Sequence, residues 1–202
     1  MSVVTALTAQ NTVGVSGIHP VPPAFIGQQL DAVLSDIGAD AAKTGMLFNA
    51  EIIEVVAQKL SAYGIQKLVV DPVMVAKGGD ILLVEDARET LIARLIPMAF
   101  IVTPNIPEAE VLANRSIRSK EDMREAARAI IAMGARHVVV KGGHLDGPAT
   151  DCFFDGEEFV EFSKPRIDTP HTHGTGCVYS AAMATYLAMG LGVREALEKA
   201  SP

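Results

Sequence analysis

Short β-branched runs alternate along this sequence with longer segments of helical period, and that alternation leaves few architectures open. A strand, a helix and a further strand in succession make a crossover between parallel neighbours, which puts helices on both faces of the sheet. Runs at Val3 to Leu7, Ala41 to Leu47, Lys67 to Val73, Ala99 to Thr103 and His137 to Lys141 are bounded by Gly, Pro, Asn or Asp and predict strands. Pro22-Pro23 opens a helix running to about Ile37, with Phe25, Ile26, Leu30, Val33, Leu34 and Ile37 on one face. Asn49 predicts the N-cap of Ala50 to Tyr63, with Gly64 as its stop. Further helices are expected over Glu85 to Ile96 and over Ser119 to Met133, the second capped by Ser119 and ended by Gly134. Asp151 to Phe154 and Glu158 to Phe162 meet around Asp155-Gly156, a turn that joins only antiparallel neighbours and predicts an edge hairpin. With no linker, repeat or low-complexity tract, residues 1–202 read as a single domain.

Composition narrows the partners. A chain of 202 residues, 49% hydrophobic, can bury a full core. Its formal charge of −7 has the wrong sign for binding a phosphate backbone, so nucleic acid is not an expected partner. Cys152 and Cys177 make no disulfide framework, and a reducing cytoplasm is the default. No Lys or Arg precedes Lys43, so the opening lacks the positive region of a secretory signal. The uncharged stretch from Thr169 to Val193 is broken by two His, a Pro and several Gly, and reads as a loop plus a buried helix, not a membrane span. The first expected strand begins almost at Met1, no glycine-rich turn precedes it, and the chain stops just after a helix that begins near Val193. The expectation is that both ends are cut.

The most informative motif is Thr172-His173-Gly174-Thr175-Gly176-Cys177, which leads into an apolar, small-residue helix. Gly174 and Gly176 allow backbone N–H groups to converge, and the positive helix end points to the same spot, making an anion hole for a transferring phosphoryl group. The plain alternative is a glycine loop before a tightly packed helix. Cys177 in the first turn has a setting that favours thiolate, so it is a candidate base for a substrate hydroxyl; the alternative is a small apolar filler. Cys152, beside Phe153 and Phe154, reads as core. His171, His173 and Cys177 fit no common zinc spacing.

Asp71-Pro72-Val73-Met74 delivers a carboxylate at the carboxyl end of a strand, where such sheets bind ligands. Asn105 and Glu108 open a helix at a spacing of three, which suits either Mg²⁺ held through water against phosphate oxygens or a capping box. Lys141-Gly142-Gly143-His144 could let a nucleotide approach the backbone, or simply end a strand. Lys77-Gly78-Gly79-Asp80 reads as a flap over the site or a surface loop.

Together with Ser2 to Thr12 and Lys43-Thr44-Gly45-Met46-Leu47, these segments resemble the hydroxymethylpyrimidine and phosphomethylpyrimidine kinases of thiamine biosynthesis, in the ribokinase-like superfamily. The sugar kinases of that superfamily carry Asp where this chain has Cys177. The resemblance implies a three-layer α-β-α sandwich with a mostly parallel sheet, and ATP- and Mg²⁺-dependent phosphorylation of the pyrimidine alcohol and then of its monophosphate. It implies that Gln10 binds the aminopyrimidine edge and that Met46 and Val73 line the ring pocket. Asp71, Asn105 and Glu108 would organise Mg²⁺ and phosphate, with Asp71 and Glu108 as the metal-side carboxylates. Lys141 and Thr175 would lie at the nucleotide and its phosphates, and Cys177, Gly174 and Gly176 at the reacting hydroxyl. A small-molecule pyrimidine partner, no membrane, a homodimer and a cytoplasmic location complete the expectation. Family members also begin with a glycine-rich βα unit of ~30 residues or more, expected to be missing here together with the final helices. The alternatives are a pyridoxal-type kinase of the same superfamily and a non-catalytic remnant that only binds ligand.

Overall fold

The computed structural model describes residues 1–12, 14–74, 82–143, 145, 148–166 and 173–201. The expected flap at Lys77 to Asp80, and His144, His171 and Thr172, lie outside them. The first strand departs from expectation. It is β1, Ala6–Gln10, and it pairs antiparallel with β2, Val15–Pro20, as a separate two-stranded sheet and not as a strand of the main one. The register breaks between Ala9 and Gln10, which re-aims the end of β1 as a bulge does.

Among the described residues the main sheet has six strands: β3 Ala42–Thr44, β4 Leu68–Val70, β5 Ile101–Val102, β6 Val138–Val140, β7 Ala149–Phe154 and β8 Phe159–Lys164, side by side in that order. The first four are parallel, and the last two form the expected antiparallel edge hairpin. Helices α1 Pro23–Asp36, α2 Ala50–Ala62, α3 Glu85–Thr90, α4 Ile106–Ala113, α5 Lys120–Ala132, α6 Thr175–Ala188 and α7 Val193–Ala200 supply the outer layers.

Strand alternation divides the core in two. Leu68, Val70, Val138 and Val140 face a cluster with Ile26, Ile52, Ile53, Ala109 and Ile130 from α1, α2, α4 and α5. Val69, Ile101, Val139 and Phe153 face the other way, onto Tyr179, Met183 and Leu187 of α6 and Leu197 of α7. This is the three-layer sandwich the sequence predicts, each fully buried aliphatic side chain contributing about 1.5 to 3 kcal/mol.

Local signals held where the chain closes its own hydrogen bonds. Asn49 caps α2 by accepting from Ile52 N, and Ser119 caps α5 by accepting from Asp122 N. The helix expected over Glu85 to Ile96 is interrupted: after α3 the backbone widens into a π turn at Leu91–Leu95 and then tightens into a 3₁₀ turn at Ile96–Met98. An extra residue per turn keeps Leu91, Leu95 and Ile96 all buried.

Candidate active site

The carboxyl ends of the four parallel strands converge on Asp71. Beyond the last paired residues the ladder continues briefly, with Asp71 N donating to Thr44 O, Thr103 N to Val70 O and Lys141 N to Pro104 O. Three functional segments are thereby held side by side. Asp71, 3% exposed, accepts from Thr103 Oγ1 at 3.3 Å and Lys141 Nζ at 3.2 Å on one oxygen, and from Ser180 Oγ at 3.0 Å on the other. Lys43 Nζ lies 3.7 Å from that second oxygen. Ser180 is on α6, so its bond ties the helix after the glycine loop to the end of β4.

Gly174 has φ of +80°, a conformation costly for any residue with a Cβ, and it starts α6 as its N-cap. A Cβ on Gly176 would stand 3.2 Å from Lys141 Nζ, so the ammonium group lies directly against the glycine backbone. Cys177, exposed and free, sits in the same first turn. The hairpin reaches the same place: Gln10 Nε2 lies 2.6 Å from Nε2 of His173, the residue before Gly174. Gln10, Lys141, Asp71, Gly174, Gly176 and Cys177 are therefore brought into one neighbourhood. Thr175 shares that helix turn, Met46 accepts from Thr5 Oγ1 of the chain entering the hairpin, and Val73 is half-buried two residues beyond Asp71.

Asn105 and Glu108 form the capping box in full, the amide oxygen accepting from Glu108 N and the carboxylate from Asn105 N. Glu108 also accepts from Met74 N, yet burial dominates and pushes its carboxyl up to about 7, with the nearby Lys141 ammonium opposing and the Asp71 carboxylate reinforcing the rise. Among the described residues no group of three or more His, Cys, Asp or Glu could hold a metal ion. Asp71 and Glu108 bring two carboxylates to these strand ends, hard oxygen donors of the kind Mg²⁺ takes. Cys152 is core as expected, and burial pushes its thiol up to about 11.

Lys43 and Ser180 are site residues to which sequence reasoning assigned no role, and only Lys43 carried a signal. Its signal was a lysine inside an apolar run followed two positions later by glycine, on the same side of the strand.

The whole sequence, residues 1–202, matches the family described as phosphomethylpyrimidine kinase. The chain belongs to the phosphomethylpyrimidine kinase family. A thiamine biosynthesis bifunctional protein of Geobacter sulfurreducens is 58% identical over 98% of this chain, which spans 41% of that protein. The hydroxymethylpyrimidine/phosphomethylpyrimidine kinase of Bacillus subtilis is 48% identical over the whole chain, which spans 75% of it. A crystal structure of an ADP complex of Bacillus subtilis pyridoxal kinase superposes with a TM-score of 0.91 at 37% identity, covering 99% of this chain and 77% of that one. The family's fold is the ribokinase-like sandwich, and no helix among the described residues is long and apolar enough to cross a membrane.

Proposed function

We propose that this kinase chain phosphorylates 4-amino-5-hydroxymethyl-2-methylpyrimidine and then its monophosphate, using ATP. The observation that carries the reading is the convergence of Asp71, Lys141 and Ser180 beneath Gly176. A buried carboxylate fixes an ammonium group and a helix N-terminus at one point, a preorganised positive surface where negative charge develops during phosphoryl transfer.

In the first step the hydroxymethyl oxygen attacks the γ-phosphorus, the bond to the β-phosphate bridging oxygen breaks, and the hydroxyl proton is lost. Cys177, exposed in the first turn of α6, would receive that proton, and the amides at Gly174 to Cys177 would hold the transferring oxygens. Lys141 orients the phosphates, while Gln10 offers an amide donor and acceptor to the aminopyrimidine edge. Mg²⁺, when bound with the nucleotide, neutralises phosphate oxygens. Glu108 and Asp71 would be the carboxylates that hold it. Reduced cysteines and soluble substrates suit a cytoplasmic location.

The likeness to a pyridoxal kinase supports a second reading, in which the alcohol is pyridoxal. Measuring ADP release with Mg²⁺, ATP and each alcohol in turn separates the two. Faster turnover of the pyrimidine is expected; a preference for pyridoxal reverses the assignment, and no turnover of either leaves only ligand binding.

A further inference from the structure

Lys43 has no place in the account above, although it lies within it. Its ammonium is 3.7 Å from Asp71 and 19% exposed, and among the described residues it makes no hydrogen bond. Among the described residues its three N–H donors therefore find no hydrogen-bond acceptor. The position is a built one. A Cβ on Gly45 would stand 2.7 Å from Lys43 Nζ, so any larger residue there would push the ammonium away.

Asp71 is already paired with Lys141, and that pair alone is neutral. A second lysine leaves one positive charge over, which a purely structural ion pair does not require. Asp71 follows β4, which lies between the strands of the two lysines: Lys141 follows β6, two strands along on one side, whereas Lys43 stands on the neighbouring β3. Lys141 lies against Gly176, on the phosphoryl side. Lys43 is three residues before Met46, which the pyrimidine kinase reading puts at the ring pocket.

Building on the pyrimidine kinase reading, we infer that Lys43 binds the phosphate of the monophosphate acceptor and so selects it over the unphosphorylated alcohol. The two acceptors differ in what they ask of the protein. The alcohol is neutral and must lose a proton. The monophosphate brings a dianion up to the Asp71 carboxylate, which calls for a cation on the acceptor side. In the second step a non-bridging oxygen of that dianion attacks the γ-phosphorus, the bond to the β-phosphate bridging oxygen breaks, and ADP leaves with the bonding electrons. No proton has to be removed, and Lys43 holds the attacking phosphate through charge-assisted hydrogen bonds.

Calorimetry without ATP tests this, with the hydroxymethylpyrimidine and its monophosphate titrated into the unsubstituted protein, Lys43→Gln and Gly45→Ala. Lys43→Gln is expected to weaken the monophosphate more than the alcohol by about tenfold to a hundredfold, the effect of one charge-assisted contact. Gly45→Ala, which only has to displace a flexible side-chain end, is expected to lower the same ratio, and it decides the matter if Lys43→Gln does not fold. A ratio unchanged by Lys43→Gln, or an equal loss for both ligands, overturns the assignment of Lys43. ADP release by the unsubstituted protein is read separately. Turnover with an unmoved ratio refutes Lys43 alone, whereas no turnover and no binding of either pyrimidine refutes the kinase reading and this inference with it.

Discussion

Glu108 should make the protein lose stability as pH rises through neutrality, against the usual behaviour of a carboxylate in a folded protein. Its side chain is 7% exposed, and desolvation outweighs the two backbone N–H groups it accepts from and the Lys141 charge. The carboxyl rises from its ordinary 4.5 to about 7. Between those values the native state keeps a proton that the unfolded chain has released. Stability from the neutral form is thus fully present below about 4.5 and is lost as pH rises through about 7. At about 1.36 kcal/mol per pH unit the full swing is about 3 kcal/mol.

Glu108→Gln isolates the effect, because the amide oxygen can still accept from Asn105 N and close the capping box but cannot ionise. Urea unfolding of both proteins across pH 5 to 8 gives the difference in unfolding free energy, in which other titrating groups such as Asp151 cancel. That difference should move in favour of the variant by about 2 to 3 kcal/mol over the range. Parallel curves would show that burial does not control this carboxyl and would refute the argument. Turnover of the same variant decides between the two readings of Glu108. A helix cap alone survives the change to Gln, whereas a carboxylate that faces Mg²⁺ does not.

Three further substitutions probe the neighbourhood of Asp71. Cys177→Ala should cut kcat while leaving pyrimidine affinity within about threefold, because the thiol is assigned to the transition state; steady-state kinetics with unchanged kcat would remove it from the mechanism. Gln10→Ala should weaken pyrimidine binding by ~1 to 2 kcal/mol, the cost of an unsatisfied partner, read as a raised Michaelis constant. Ser180→Ala should cost about 1 to 2 kcal/mol in denaturant unfolding despite alanine's better helix propensity, since Asp71 then loses a hydroxyl donor on that oxygen.

What the sequence revealed depended on how local the deciding interaction was. Ser119 and Asp122, or Asn105 and Glu108, bond within one turn, so their spacing carries the answer. The Asp155-Gly156 turn likewise fixes β7 against β8, as Asp155 Oδ1 accepts from Glu157 N and Glu158 N. Partners of β1 are another matter. A β-branched run says strand but not which strand lies beside it, and Gly17, His19 and Pro20 disguise β2. The π turn at Leu91–Leu95 was hidden because apolar spacing alone does not distinguish one extra residue from an ordinary helix. The site motifs were readable because chemistry restricts residue type at each strand end, but their mutual distances were not. Nothing in the sequence says that Ser180 reaches Asp71 across 109 positions.

The electrostatics of this site run against those of the chain that carries it. Overall the protein is acidic, at −7, which repels long polyanions. Around Asp71 the balance reverses, because two lysines stand against one carboxylate, Glu108 is held partly protonated near neutral pH, and the N-terminus of α6 adds positive character. A small phosphorylated ligand that fits at the strand ends meets this local excess at close range. The raised Glu108 carboxyl thus belongs to the same arrangement as the lysines: each lowers the negative charge that a nucleotide would meet.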